Sequence, residues 1–370
     1  MLKKEKVKKL SLLLMSTLLF VPTFSIQAEE STEAEVVTGA SIKNDQLPLK
    51  VVKTPLSRTE SLLHTAVQIQ IYHENQEEVM DLAFDYIERM EKLFSTNLEG
   101  SDVYRINQAA GKEAVKVAPE TFELIQKALE VSELSKGKFD ITIGAVTNLW
   151  RIGDEAARKP EQSEIDAGLK KIDYHKVILD EKNQTVKLAE EGMVMELGGI
   201  SKGYIGSGVV KYLKAAGVNT AIVNLGGNVI VMGTSPSNEE GWNVGVQDPD
   251  EVRGAVVGTV RTKDYTVITS GVYERYLEVD GVRYHHILDP KTGYPLDNEI
   301  SGVTVFAPES VDGDGLSTSL FLFGIEDGIE FVESLEGVEA AFIDKEHRVY
   351  LTSGLKDKFK LTNEEYKVVE

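Results

Sequence analysis

Glu196-Leu-Gly-Gly-Ile-Ser-Lys-Gly-Tyr204 lies where two periodicities meet. Before the double glycine, Met193-Val-Met-Glu-Leu alternates as a strand does; after it, Ser201 to Ala216 has helical spacing and closes at Gly217. A strand that stops at Gly198-Gly199 and turns into a helix exposes backbone N–H groups and the positive end of the helix dipole, which suits an anion. Lys202 sits about one turn into that helix, where its ammonium could meet a phosphate or an aromatic ring. The string is neither G-x-G-x-x-G nor a P-loop. A Gly-Gly turn that merely packs helix on strand explains it equally well.

Working outward, Thr220 to Asn224 reads as a strand ending at Gly226-Gly227, inside the string Asn224-Leu-Gly-Gly-Asn228. Close approach of the backbone to a ligand and a plain β-turn both fit. Val67 to Tyr72 alternates as a half-buried strand, and Glu77 to Phe94 is amphipathic at helical spacing. Pro119 to Ser135 forms a second helix, and 176–179 with 185–188 a hairpin around Asn183. Further strands are expected at 242–247, 255–260, 265–269, 273–279 and 301–306, helices at 315–322 and 325–335, and terminal strands at 338–343 and 347–351. No fixed-period repeat is visible. This order predicts an α+β fold of mixed, largely antiparallel sheets with helices packed on them.

The 370 residues are 42% hydrophobic, an ordinary globular composition. Lys3, Lys4, Lys6, Lys8 and Lys9 precede an apolar run from Leu10 to Phe24, with a small residue, Ala28, at a plausible cut before Glu29. Residues 1–28 therefore read as a signal peptide and the protein as exported, to the cell envelope or beyond. A retained anchor is the alternative, but the run is shorter than the roughly 20 residues of a membrane span. Residues 29–57 read as a flexible acidic spacer near the membrane, and 58–360 as the folded domain. The absence of cysteine excludes disulfides, thiol catalysis and a lipid-modified N-terminal cysteine. A formal charge of −20 opposes nucleic-acid binding and repels phosphorylated ligands, which then need local positive help.

Two later segments carry candidate chemistry. His285-His-Ile-Leu-Asp-Pro-Lys-Thr-Gly-Tyr-Pro295 sets two histidines before a turn. In a strand their rings face opposite ways, so one can be functional and the other structural. That geometry also disfavours a shared zinc ion. In Asp312-Gly-Asp-Gly-Leu-Ser-Thr-Ser-Leu-Phe321, Asp314, Ser317 and Thr318 fall on one helical face as oxygen donors for a hard cation. The plainer reading is an aspartate N-cap with hydroxyls in the first turn.

Taken in order, Gly137-Lys-Phe-Asp140, residues 196–204, residues 224–228, His286-Ile-Leu-Asp-Pro-Lys-Thr-Gly293 and Asp314-Gly-Leu-Ser-Thr318 closely resemble the ApbE family of FAD:protein FMN transferases. The resemblance spans roughly residues 58 to 355. It implies a T-fold-related architecture, magnesium as cofactor, FAD as substrate, and transfer of FMN to a serine or threonine of an exported flavoprotein acceptor, with AMP released. It implies metal binding by Asp314, Ser317, Thr318 and the Gly199 carbonyl. Leu63, Asn97, Lys138, Phe139, Asp140, Glu196, Lys202 and Leu288 would contact the flavin nucleotide. His286 is the candidate base for the incoming hydroxyl, with Asp314 as the alternative.

Three positions depart from the family pattern. Leu63-His64-Thr65 stands where Met-Gly-Thr is usual, Asn97 where an aromatic is common, and Ser317 where some members have Asp. The last implies weaker magnesium binding, and Asn97 leaves FAD hydrolysis open as a rival activity. A flavin carrier and a purely structural surface protein are the remaining alternatives.

Overall fold

Every residue from Ile300 to Ala307 is buried, and the layers around that strand explain why. The structure, a computed structural model, describes residues 49–369; the expected signal peptide and most of the spacer lie outside them. Among the described residues, 17 strands and eight α-helices are numbered in chain order. Nine strands form one sheet in the order β1 (Val51–Leu62), β2 (Thr65–His73), β6 (Ala221–Leu225), β7 (Asn228–Met232), β10 (Tyr265–Gly271), β13 (Ile300–Ala307), β14 (Glu339–Asp344), β15 (Arg348–Leu351) and β17 (Lys367–Val368). All neighbours are antiparallel except β15 and β17. Smaller sheets join β16 (Phe359–Leu361), β9 (Val256–Thr262) and β8 (Trp242–Gln247), and β3 (Val115–Lys116), β5 (Thr185–Leu188) and β4 (Val177–Asp180). A separate hairpin pairs β11 (Tyr276–Val279) with β12 (Val282–His285). The helices are α1 (Glu77–Phe94), α2 (Asp102–Gln108), α3 (Pro119–Leu134), α4 (Gly144–Trp150), α5 (Gln162–Leu169), α6 (Ser201–Ala215), α7 (Ser310–Phe323) and α8 (Ile325–Glu333).

The core follows from patterning. Met80, Ala83, Ile87 and Met90 line one face of α1 and meet Val67, Ile69 and Ile71 of β2 and Ile205, Val209 and Leu213 of α6. Val303 and Val305 of β13 lie under Leu320 and Phe321 of α7. On the opposite face, Phe306 packs with Val246, Val257 and Val260 of the three-stranded sheet. Cover on both faces removes polar alternation, so β13 reads as a continuous apolar run. A fourth cluster, Val146, Trp150, Ile165 and Leu288, takes in Leu277 and Tyr284 and anchors the β11–β12 hairpin.

The structure corrects four expectations. β1 starts at Val51, inside the segment read as spacer, as an edge strand with few buried side chains; Pro55 is tolerated there because an edge N–H can go unpaired. The ordered chain also runs past 360 to β17. Met193–Leu197 keeps its alternating burial but is not a strand: Met195 exchanges both backbone hydrogen bonds with the Asn107 side-chain amide (2.7 and 3.0 Å), and Glu196 N–H donates to the Ile141 carbonyl. Finally, α7 begins at Ser310 rather than Gly315.

Candidate active site

The early start of α7 changes what Asp314 does. It stands past the first turn and caps nothing of its own helix. Instead its Oδ2 accepts a hydrogen bond of 2.7 Å from Gly203 N–H, at the N-terminal end of α6. Those first-turn N–H groups have no partner inside their helix, so a carboxylate from α7 satisfies one of them and complements the helix dipole. Such an approach requires glycine at 203: a Cβ there would stand 2.3 Å from the Ser310 carbonyl oxygen and 2.5 Å from Asp314 Cβ. Asp314 is buried, and its Oδ1 accepts no hydrogen bond among the described residues.

Thr318, one turn along α7, brings its Oγ1 to 3.6 Å from where a Cβ on Gly199 would stand. The Gly198-Gly199 corner and α7 thus form one wall of a cavity of about 500 Å³. Ser317 does not line it. Its hydroxyl is buried, accepting from Ser270 Oγ and donating to the Asp314 carbonyl, both at 2.9 Å. Ser270 is the group that reaches the cavity at that point. Among the described residues no three Asp, Glu, His or Cys side chains gather as a metal site. One carboxylate and one hydroxyl beside the Gly199 corner are oxygen donors of the kind a hard cation takes, with room left for further oxygen ligands.

Four cations line the cavity. Lys202 Nζ donates to Asn228 Oδ1 at 3.1 Å. Lys138 Nζ donates to the Leu322 carbonyl at 2.9 Å, near the C-terminus of α7, and lies 4.8 Å from the centre of the Phe323 ring. Arg253 is paired with Glu274. Arg275 completes the set. Asp140, Glu196, Glu274 and Asp314 balance these charges, so the lining is formally neutral within a chain of −20. Asp140 is tied into its own turn, accepting from Thr142 N–H and Oγ1 and from Tyr174 N–H; burial nevertheless lifts its carboxyl above the usual range. Burial likewise raises Glu196, against the opposing hydrogen bond from Thr147 and the charge of Arg275.

The two histidines separate as strand alternation predicts. His285 is buried and structural: its Nε2 donates to the Leu296 carbonyl at 2.7 Å, and its Nδ1 accepts from Ile287 N–H. His286 lines the cavity. Its backbone N–H (3.1 Å) and its Nδ1 (3.3 Å) both meet the Arg275 carbonyl. A carbonyl only accepts, so the ring proton sits on Nδ1 and the Nε2 lone pair is left available. Burial, reinforced by the Arg275 charge, pushes the imidazole pKa down to about 4.

Two hairpin tips close the cavity. Leu63 and His64, between β1 and β2, both adopt left-handed backbone (φ 54° and 55°), and Leu63 N–H donates to Glu91 Oε1. The two-residue turn demands that conformation, which costs non-glycine residues about 1 kcal/mol or more each. Gly226, at the β6–β7 tip, abuts Thr65; a Cβ there would fall 2.3 Å from Thr65 Oγ1.

Leu63, Lys138, Phe139, Asp140, Glu196, Gly199, Lys202, His286, Leu288, Asp314 and Thr318 therefore all line one cavity. Asn97 does not: it is exposed in the turn after α1, its N–H bonded to Ser95 Oγ. Sequence reasoning missed Thr147, Arg253, Thr269, Ser270, Glu274 and Arg275. Ser270-Gly271 falls between the strands expected at 265–269 and 273–279, and nothing local ties it to Ser317. Arg275 joins the site only because pairing of β11 with β12 returns the chain to it at His286.

Known proteins resemble this chain in sequence and in fold. The ApbE family model matches residues 63–342. The FAD:protein FMN transferase of Klebsiella pneumoniae (strain 342) is 38% identical over 309 residues, 84% of this chain and 95% of that protein. Its counterpart from Treponema pallidum (strain Nichols) is 33% identical over 321 residues, 82% of this chain and 89% of that one. Among solved structures, the ApbE protein of Thermotoga maritima gives a TM-score of 0.76 at 33% identity, covering 82% of this chain and 99% of that one. The flavin transferase ApbE from Vibrio cholerae gives 0.73 at 26% identity, again covering 82% and 99%. With a family match across most of its length and relatives aligned nearly end to end, this chain belongs to the ApbE family.

Proposed function

We propose that this chain transfers FMN from FAD to a threonine or serine hydroxyl of an acceptor protein, with magnesium bound and AMP released. One observation carries the reading: Gly199, Lys202, His286, Asp314 and Thr318, from three separate segments, face one charge-balanced cavity in a strongly acidic chain. The names of its relatives agree.

Asp314, Thr318 and the Gly199 carbonyl are the residues that would hold the ion. Magnesium, when bound, supplies positive charge against the diphosphate and the departing AMP. The rest falls to the chain. Gly203 N–H fixes the Asp314 carboxylate, so no reorganisation is needed on binding. Asn228 holds the Lys202 ammonium toward the phosphates. The Arg275 carbonyl orients His286 with Nε2 as acceptor for the hydroxyl proton. The acceptor oxygen bonds to the FMN-side phosphorus as the bond from that phosphorus to the AMP oxygen breaks. Asn97 lies outside the cavity, so its lack of an aromatic ring gives no support to hydrolysis. The basic, apolar N-terminal run supports an exported enzyme; among the described residues no helix is long and apolar enough to cross a membrane.

The test incubates the protein with FAD and magnesium, with and without an exported flavoprotein, and follows AMP by chromatography and the acceptor by mass spectrometry. The expected result is one FMN mass on a single threonine or serine, with AMP in equal amount. FMN released freely at the same rate without acceptor would make the protein a pyrophosphatase, and intact FAD would make it a carrier.

A further inference from the structure

Of the four cations that line the cavity, one has no hydrogen-bond or ion-pair partner among the described residues. Lys202 is bonded to Asn228, Lys138 to the Leu322 carbonyl, and Arg253 to Glu274. The Arg275 guanidinium makes no hydrogen bond or ion pair among the described residues, yet it lines the cavity. Its position is not arbitrary. Its aliphatic stem lies against the turn after α4, with Cδ 3.0 Å from where a Cβ on Gly153 would stand. Its main-chain carbonyl carries His286. The guanidinium is near enough to Glu196 and His286 for its charge to act on both. A solvent-exposed fork of N–H donors, left without a partner among the described residues beside the candidate base, suits a doubly oxygenated anion.

Building on the transfer reaction above, we propose that Arg275 is the side chain that grips the diphosphate of FAD directly, and that it takes up charge on the FMN-side phosphoryl group. In that step the acceptor oxygen–phosphorus bond forms and the phosphorus–oxygen bond to AMP breaks. The electron pair leaves with AMP, and the hydroxyl proton passes to His286 Nε2. Charge gathers on the non-bridging oxygens, where guanidinium N–H groups are most effective. Lys138, Lys202 and Arg253 each already spend a donor on the fold, whereas Arg275 keeps its whole fork for the ligand.

The test is calorimetric titration of wild-type protein, Arg275→Gln and Arg275→Lys with FAD and with ADP, each with magnesium, at low and high salt. Arg275→Gln should melt with the wild type, because the guanidinium contacts nothing in the fold. It should bind both FAD and ADP about 10- to 100-fold more weakly, the usual range for a lost hydrogen bond to a charged group, with a shallower dependence on salt. Arg275→Lys, which keeps the charge but not the fork, should fall between the two. Unchanged affinity in Arg275→Gln would overturn the assignment. Weakened FAD with undiminished ADP would also overturn it, since the contact would then lie on the flavin ring. If wild-type protein bound neither ligand, the transferase reading itself would fail, a result distinct from either of these.

Discussion

Alanine in place of glycine inside a helix ordinarily stabilises it by about 0.8–1 kcal/mol. At Gly203 the sign should reverse. The new Cβ would lie 2.3 Å from the Ser310 carbonyl oxygen and 2.5 Å from Asp314 Cβ, both backbone or backbone-proximal atoms with no rotamer to move. Restoring ordinary contact requires α6 and α7 to part by about 1 Å, in an interior as dense as a crystal. Overpacking of that kind costs about 1–3 kcal/mol. The 2.7 Å bond from Gly203 N–H to Asp314 stretches with it, adding part of the roughly 1.5–3 kcal/mol of a hydrogen bond to a charged group. A net loss of about 3 kcal/mol, divided by an unfolding entropy of about 2.1 cal/mol/K per residue over roughly 320 residues, lowers the melting temperature by about 4 °C. Because the displaced carboxylate is the metal candidate, more magnesium should be needed for half-maximal transfer. Differential scanning calorimetry and a magnesium titration of FMN transfer read both effects. A Gly203→Ala protein that melts at or above the wild-type temperature with the same magnesium midpoint would refute the reasoning.

Other perturbations separate the roles of neighbouring groups. Asp314→Asn keeps an oxygen for Gly203 N–H but removes the charge; transfer should fall about 100-fold or more while melting scarcely moves, and retained transfer would exclude this side chain as a metal ligand. With His286 neutral down to about pH 4, the acid limb of the transfer rate should lie near there rather than at 6.5, and should vanish from the residual rate of His286→Gln. Both His285 and His286 have depressed folded-state pKa values, so the unfolded chain takes up more protons as pH falls. Their contribution is present above about 6.5 and lost as pH drops toward 4, which melting temperatures measured across that interval should follow. Tyr366→Phe removes the 2.7 Å bond from the buried hydroxyl to Asp248, far along the chain; chemical denaturation should show a loss of about 1–2 kcal/mol with transfer unchanged.

Much of the fold was legible because it rests on local periodicity. The alternation in Val67–Tyr72 and the helical spacing of Glu77–Phe94 and Ser201–Ala216 recur as β2, α1 and α6 almost residue for residue. Elements that draw their stability from elsewhere were not legible. β1 shows no apolar pattern because an edge strand buries little of it. The start of α7 carries Asp312 and Gly313, poor helix formers that are overridden by burial between α6 and the sheet. The strand expected at Met193–Leu197 dissolved because a distant amide, Asn107, supplied the hydrogen bonds a neighbouring strand would have given.

The candidate site divides the same way. Residue type and order along the chain picked out Gly199, Lys202, His286, Asp314 and Thr318, since their chemistry is carried in short contiguous strings. Only tertiary structure decided that Asp314 caps another helix rather than its own, that Ser317 turns from the cavity toward Ser270, and that Asn97 stays outside. It alone brought Arg275 beside His286. A string specifies which groups are available; which of them remain free to meet a ligand depends on partners that fold in from far along the chain, and no local pattern records those.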